Sequence, residues 1–276
     1  MMLPCGCGLP HCFGRRALIA MTIAGAIAPS GGKAAPASAG PADPTLIDDL
    51  VVGNHILFDQ GVVDGFGHIS ARHDKDPARY LLARSMAPAL VTANDIMEFD
   101  LDSTPVDPRG RTPYLERFIH GAIYQARPDV QAIVHSHSPS VIPFANTKIA
   151  LQPMNHIASF LGTGAPVFEI RTAGGDATDM LIRNNALGKA LATTLGPQAV
   201  ALMRGHGSVA VGQSVKLVVF RAVYTEVNAR IEAEALSMGG KPEFLNAKEA
   251  AAATQTNEHL VGRPWELWKR HAEQNR

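Results

Sequence analysis

Stretches of helical and strand-like hydrophobic spacing alternate along this chain. Apolar residues recur near the helical period from residue 44 to 60, and again from residue 215 to 238 behind a capping Ser214. Further helices are predicted over 113–127, 139–146 and 176–195, and the last thirty residues are helix-prone. Short β-branched or alternating segments, typical of strands, occupy 68–72, 80–85, 96–101, 130–135, 166–170, 199–203 and 208–211.

The order of these elements predicts one α/β domain with a mixed sheet and helices on both faces, which we place at residues 40–276. With 46% hydrophobic and 18% charged residues, the chain is not of the disordered class. Basic and acidic residues number 25 each, so the net charge of +0 gives no reason to expect nucleic acid as a partner. No apolar run approaches the roughly 20 residues that a membrane span needs.

Residues 1–39 have the composition of an export signal. The pair Arg15-Arg16 precedes an uncharged stretch, and Ala37-Ser38-Ala39 suits cleavage after small residues. The segment resembles a twin-arginine signal, although the residues after the pair depart from its usual pattern, and it predicts a periplasmic protein. The alternative is an upstream start codon, which would leave the protein in the cytoplasm. All three cysteines lie here, so His, Asp or Glu must hold any metal in the rest of the chain.

Three short motifs carry candidate metal-site chemistry. His135 and His137 follow one another at the end of a predicted strand, and strand side chains two apart share a face. His206 lies between two glycines in a turn, where the backbone can approach closely. Glu116 lies in the first turn of a predicted helix. Each motif alone also has a non-functional explanation. His135 and His137 can be a chance pair, His206 can lie in a solvent-exposed hairpin turn, and Glu116 can simply interact favourably with the helix dipole. Three histidines together form a neutral ligand set like that of catalytic zinc sites.

The segment from Glu116 to His137, with the later glycine-flanked histidine, resembles the class II aldolase/adducin family. The nineteen-residue gap from Glu116 to His135 matches that family's pattern. The resemblance implies that His135, His137 and His206 bind a divalent cation, with zinc first and iron or manganese as alternatives, and that Glu116 is the catalytic acid/base. It also implies a three-layer α/β/α sandwich with a central mixed, largely antiparallel sheet, and commonly a homotetramer with sites between subunits.

Sugar-phosphate members of that family hold the phosphate with small polar residues, and this chain departs from them. His68 replaces an asparagine, Arg84-Ser85 replaces a Thr-Gly turn, and Tyr114-Leu115 replaces a serine pair. Phosphate binding is therefore not expected. His68 and Arg84 are instead candidates to bind a carboxylate, Arg84 in bidentate fashion.

Further candidates are Ser85 and His156 as substrate-binding residues, and Tyr114 with Phe160 as rings that flank a planar substrate. His120, four residues after Glu116, shares its helix face and either packs there or supports Glu116.

This altered set of residues resembles the branch of the family that contains dihydroxyphthalate-type decarboxylases. We therefore expect a metal-dependent carbon–carbon lyase that decarboxylates a non-phosphorylated hydroxylated aromatic acid through an enolate-like intermediate. Three alternatives remain: a class II aldolase acting on a small hydroxy-carbonyl compound, a non-haem iron oxygenase, and a non-catalytic adducin-like module. A non-catalytic module would not need Glu116 together with all three histidines, so the presence of all four favours an enzyme.

Overall fold

The computed structural model describes residues 37–239 and 241–274, so residues 1–36 of the predicted leader lie outside the described part of the chain. The described α-helices are α1 (Pro44–Asp59), α2 (Phe118–Ala126), α3 (Ile142–Asn146), α4 (Arg171–Gly174), α5 (Asn185–Leu195), α6 (Val215–Ser237), α7 (Ala247–Glu258) and α8 (Gly262–Gln274). The strands are β1 (His68–Arg72), β2 (Arg79–Ala83), β3 (Ile96–Asp100), β4 (Ala132–Ser136), β5 (Val167–Phe168), β6 (Val200–Met203) and β7 (Gly207–Gly212). Among the described helices, none has the length and apolar character needed to cross a membrane.

The described strands form one seven-stranded sheet in the order β3-β2-β1-β4-β7-β6-β5. Neighbouring strands are antiparallel except for β5 and β6, which run parallel. Strand β4 lies in the middle and is paired on both edges, with β1 on one side and β7 on the other. The predicted mixed, largely antiparallel sheet is confirmed.

Both faces of this sheet are covered, which makes the three layers of the sandwich. Along β4 the side chains alternate: Ala132 and Val134 join a core with α1, α6 and α8, whereas Ile133 joins a second core with α2 and α5. The buried strands therefore read as nearly continuous apolar runs, as expected for a sheet covered on both faces. His135 continues the alternation on the α2 side, the side on which Glu116 lies.

The long helix α6 begins where the sequence predicts. The Ser214 side chain accepts a hydrogen bond from the Leu217 backbone N–H at 3.1 Å, which satisfies a donor that the first turn leaves free.

The predicted helix over 176–195 is wrong in its first half. Helix α5 begins only at Asn185, because the side chain of Asn184 accepts a hydrogen bond from the Leu187 backbone N–H at 2.9 Å and caps it. Residues 176–184 instead form an irregular segment in which Met180 has a left-handed backbone with φ of 72°. Such a conformation is costly for a residue with a side chain, so the surrounding structure must stabilise it.

Three other predicted elements differ at their ends. The helix expected from residue 113 begins as a 3₁₀ turn over Leu115–Arg117 and becomes α-helical only at Phe118. The strand expected over 166–170 is limited to the two residues of β5, and the helix expected over 139–146 begins at Ile142. Boundaries are set by local hydrogen bonds that periodicity does not resolve.

Helices α2 and α5 pack so closely that a side chain at Gly188 would collide with α2. A Cβ there would lie 2.4 Å from the Phe118 carbonyl oxygen and 2.8 Å from the Ala122 Cβ. Alanine is intrinsically better than glycine inside a helix, so any loss of stability must come from this collision.

We predict that Gly188→Ala lowers the free energy of unfolding by about 1–3 kcal/mol, the usual range for overpacking. Urea unfolding followed by circular dichroism measures the change. Gly262→Ala is the control because its Cβ would meet open space, and a shift within about 0.5 kcal/mol is expected there. Equal stability of the two variants would contradict the tight α2–α5 contact.

Candidate metal centre and substrate pocket

Glu116, His135, His137 and His206 converge at the end of the central strands, with their ligand atoms within 4.8 Å of one another. The Nε2 atom of His137 lies 3.2 Å from Nε2 of His135 and 3.0 Å from Nε2 of His206. The Glu116 Oε2 lies 3.4 Å from Nε2 of His135 and 3.3 Å from Nε2 of His206. The expected convergence of the four side chains is present.

Backbone carbonyls orient two of the three imidazoles. His135 Nδ1 lies 3.1 Å from the Ser208 carbonyl oxygen, and His206 Nδ1 lies 2.9 Å from the Met180 carbonyl oxygen. Because a carbonyl only accepts, each Nδ1 must carry the proton and donate, which leaves the Nε2 lone pairs directed at the cluster. Metal-binding histidines are typically held by such an outer hydrogen bond.

The electrostatics of the cluster keep the carboxylate ionised. Burial raises the pKa of Glu116, but His135 and His206 outweigh that effect and bring the pKa far below its ordinary value. For His206, burial lowers the pKa and Glu116 more than compensates, so the pKa is raised. Burial, followed by the neighbouring His135 and His206, lowers the pKa of His137 to about 4. Near neutral pH the cluster therefore holds an ionised Glu116 and an uncharged His137, and the Glu116 carboxylate favours a proton on His206 that a bound cation would displace.

The turn that carries His206 can reach β4 only because residue 207 is a glycine. A Cβ at Gly207 would lie 1.9 Å from the Ser136 carbonyl oxygen, which is a direct collision with the backbone of the central strand. Gly205, on the other side of His206, has φ of 65°, a conformation that side chains disfavour. The two glycines thus allow the close approach that the sequence predicts for this motif.

The irregular segment 176–184 supplies two supports that sequence reasoning missed. The Met180 carbonyl accepts from His206, and the Ile182 backbone N–H donates to Glu116 Oε1 at 2.9 Å. The segment therefore holds a histidine and the carboxylate at once. The sequence signal for this segment is Asn184. Recognised as a helix cap, it would have predicted a helix that begins at residue 185 and a loop before it.

A pocket of about 420 Å³ opens beside the cluster and has aromatic walls. Phe66, His68 and Tyr114 line it together with Glu116 and His137. The Phe66 ring is 66% exposed and stacks on His137 at a centroid distance of 5.9 Å and an angle of 23°. The sequence analysis did not predict Phe66 as a pocket residue, although it lies in a glycine-rich stretch two residues before the candidate His68. The volume falls within the usual range for a small-molecule site.

Three of the predicted substrate-binding residues, His68, Ser85 and Tyr114, line this pocket. The His68 ring lies 4.5 Å from the Tyr114 ring and 5.1 Å from the His135 ring, measured between centroids. The Tyr114 hydroxyl donates to the Met86 carbonyl, which leaves the ring as the part of this side chain available at the pocket wall. Ser85 is exposed and also lines the pocket.

The structure does not bring Arg84, His156 or Phe160 to the pocket. Arg84 does not line the pocket, and its Nε donates to Asp95 Oδ1 at 2.6 Å. His156 is exposed on the 3₁₀ helix over His156–Leu161, which packs against α7. Phe160 packs on Phe220 in the α6 core, with its ring 6.2 Å away. Arg84 thus pairs with Asp95 although its neighbour Ser85 lines the pocket, and the segment with His156 and Phe160 packs on α6 and α7 instead.

Comparison with known proteins agrees with this geometry. Residues 48–233 match the family described as "Class II Aldolase and Adducin N-terminal domain". The decarboxylase tropJ of Talaromyces stipitatus is 36% identical over 246 residues, which are 81% of this chain and 92% of that protein. The 3,4-dihydroxyphthalate decarboxylase of Terrabacter sp. is 30% identical over 205 residues, 70% of this chain and 82% of that protein.

This chain belongs to the class II aldolase and adducin family.

The fold of this family member is seen in solved structures as well. The aldolase II superfamily protein from Pseudomonas syringae superposes with a TM-score of 0.68 at 21% identity, over 86% of this chain and 95% of that one. Class II aldolases use a divalent metal, and the residues here fit one. Three imidazoles with two fixed tautomers and one ionised carboxylate form a donor set suited to a divalent cation.

We predict that His137→Gln lowers the affinity of the purified protein for Zn²⁺ by at least about 100-fold, since even outer supports of such sites contribute 10–100-fold. Competition with a chromophoric chelator gives the dissociation constant. His156→Gln is the matched control, because that exposed side chain lies away from the cluster, and it is expected to bind like the parent. Equal affinity of all three proteins would show that the cluster is not the metal site.

Proposed function

We propose that this chain is a metal-dependent carbon–carbon lyase that decarboxylates a non-phosphorylated, hydroxylated aromatic acid. The proposal is carried by one juxtaposition: the Glu116 and three-histidine cluster adjoins a pocket that Glu116 and His137 line together with aromatic rings. The decarboxylases among its relatives, tropJ and 3,4-dihydroxyphthalate decarboxylase, support the reaction class.

The pocket walls favour a planar ring over a sugar phosphate. Phe66 and Tyr114 line the pocket and offer ring faces for stacking, and Tyr114 stands where the sugar-phosphate members have a serine. Of the two residues predicted to bind a carboxylate, Arg84 is paired with Asp95, whereas His68 lines the pocket. We assign carboxylate recognition to His68, with exposed Ser85 as a second polar contact.

His135, His137 and His206 would hold the cation, and we propose zinc because neutral imidazole ligands with an open position are typical of its catalytic sites. Bound there, the cation would polarise the hydroxyl oxygens of the substrate and stabilise negative charge on them. The side chains around it supply orientation: carbonyls fix two imidazoles, and Ile182 holds one carboxylate oxygen of Glu116.

Glu116 would move the proton. Because it is ionised in the free site, it first acts as a base and takes the proton of a ring hydroxyl. It then returns this proton to the ring carbon that bears the carboxylate. The bond from that carbon to the carboxylate breaks, carbon dioxide leaves, and the electron pair restores the aromatic ring as a phenolate. Water protonates the phenolate, so the net reaction exchanges a carboxylate for a hydrogen.

Export and oligomeric state concern the whole protein. We propose that residues 1–39 export the chain to the periplasm and that residues 40–276 form the catalytic domain. We also propose a homotetramer. Support comes from Phe66 and Leu115, which are 66% and 59% exposed at the pocket mouth, where a neighbouring subunit would cover them.

An aldolase acting on a small hydroxy-carbonyl compound is the second candidate, because the family match includes aldolases and both reactions break a carbon–carbon bond towards a polarised oxygen. The two differ in the leaving product, an aldehyde in one case and carbon dioxide in the other. A non-haem iron oxygenase would require oxygen, and a non-catalytic module would have no turnover.

We predict that the Zn²⁺-loaded protein releases carbon dioxide from 3,4-dihydroxyphthalate or 3,4-dihydroxybenzoate without oxygen, and that phthalate, which has no hydroxyl, is inert. Infrared detection of carbon dioxide and chromatography of the product measure turnover. L-Fuculose 1-phosphate is the comparison substrate. An aldehyde from that sugar phosphate would favour the aldolase, strict oxygen dependence the oxygenase, and metal binding without any turnover the module. Any of these results overturns the decarboxylase.

Glu116→Gln is expected to reduce kcat by about 10²–10⁴-fold, the usual contribution of a general acid–base group. The amide oxygen can still accept from Ile182, so folding and the bound Zn²⁺ content should be preserved. Steady-state kinetics and metal analysis are made on the same sample. Full activity of this variant would remove Glu116 from the proton transfer, whatever the substrate.

A further inference from the structure

A continuous row of buried hydrogen bonds runs from the pocket into the core behind it. His68 Nδ1 lies 2.7 Å from His120 Nε2, and His120 Nδ1 lies 2.6 Å from Ser70 Oγ. Ser70 Oγ lies 2.8 Å from the Tyr124 hydroxyl. All four side chains are buried, with exposures of 3% or less. His120 was expected to pack or to support Glu116, and the structure places it instead between His68 and Ser70.

The direction of these hydrogen bonds follows from the far end of the row. Ser70 is the only hydrogen-bond partner of the Tyr124 hydroxyl among the described residues, so the phenol satisfies its proton only by donating to Ser70. Ser70 then donates its own proton to His120 Nδ1. His120 carries its proton on Nε2 and donates it to His68 Nδ1. The opposite direction would leave the Tyr124 proton buried without an acceptor, which is costly.

The near end of the row then has a defined character. His68 Nδ1 accepts from His120, so the neutral His68 ring must carry its proton on Nε2. Nε2 makes no hydrogen bond to any described residue, and His68 lines the pocket next to Tyr114. Burial, followed by the neighbouring imidazole of His135, lowers the pKa of His120 to about 3, in agreement with an uncharged row.

We infer that His120, Ser70 and Tyr124 are positioning residues that hold His68 as a hydrogen-bond donor, Nε2–H, directed at the substrate carboxylate. A histidine without this support could turn its lone pair to the pocket and repel an anion. The row therefore determines specificity for an acid, at a residue that lies beside the cluster but outside its ligand set. This inference rests on the proposed function for the identity of the ligand, but the protonation of His68 does not.

The first test reads the tautomer directly. In Zn²⁺-loaded full-length protein labelled with ¹⁵N-histidine, long-range ¹H–¹⁵N correlation spectra distinguish Nε2-protonated from Nδ1-protonated rings, and His68→Asn assigns the His68 signals by their loss. We expect His68 to be protonated on Nε2 and His120 likewise. Protonation of His68 on Nδ1 would overturn the inference. The tautomers are read on the parent protein, and His68→Asn serves only to assign the signals.

The second test removes the donor that sets the direction. In Tyr124→Phe, Ser70 no longer receives a proton from the phenol, so the row can reverse and His68 should become a mixture of tautomers. Tyr80→Phe is the matched control, because Tyr80 is an equally buried tyrosine whose hydroxyl donates to Ser103 and the Arg117 carbonyl, outside the row. A His68 tautomer that stays unchanged in folded Tyr124→Phe protein would overturn the direction.

Ligand binding then separates this inference from the proposed function. We expect Tyr124→Phe to raise the Kd of 3,4-dihydroxybenzoate by about 2–10-fold, the effect of one ordinary hydrogen bond, and to leave the Kd of catechol, which lacks the carboxylate, unchanged. Tyr80→Phe should change neither. An equal loss for both compounds would contradict carboxylate recognition by His68. If the tautomers are as expected and the parent protein binds neither compound, the proposed substrate class fails while the row itself stands.

Discussion

Strand β4 is paired on both edges, and this pairing is the constraint on which the rest of the site depends. On one side His135 lies opposite His68 of β1, and on the other it lies opposite Val209 of β7. One residue of slip in either pairing would turn a whole set of side chains to the opposite face of the sheet. The register thus determines at once that His135 faces α2, that His68 lies beside it, and that the turn before β7 brings His206 to His137.

Backbone groups around the cluster make the close approach of its side chains possible. Gly207 lets the β6–β7 turn touch the end of β4, and a Cβ there would meet the Ser136 carbonyl at 1.9 Å. Met180 adopts a left-handed conformation, and in that conformation its carbonyl holds His206. Unfavourable local conformations at a site of this kind are stabilised by the surrounding fold, and they indicate that the geometry of the cluster is specified more tightly than stability alone requires.

Polar groups behind the pocket matter as much as those that line it. His68, His120, Ser70 and Tyr124 are buried between β1 and α2, where each must find a hydrogen-bond partner. Such a row is stable in a low-dielectric interior only when every donor and acceptor has a hydrogen-bond partner. That requirement fixes which group donates to which along the row. In this way a tyrosine in the core defines the chemical character of a ring at the pocket wall.

The hydrophobic period of the chain predicted the α/β class and most elements, and the resemblance of a combined motif to a known family pointed to the four residues of the cluster. Periodicity is a local property of the chain, whereas the strand pair His135 and His137 became indicative only together with Glu116 and His206. Tertiary structure alone decided the remainder. Arg84 meets Asp95, Phe160 enters the α6 core, and residues 176–184 leave the helical path to reach Glu116 and His206. Each of these outcomes depends on a partner distant along the chain, and the hydrogen bonds that select it form only after the sheet brings the two together.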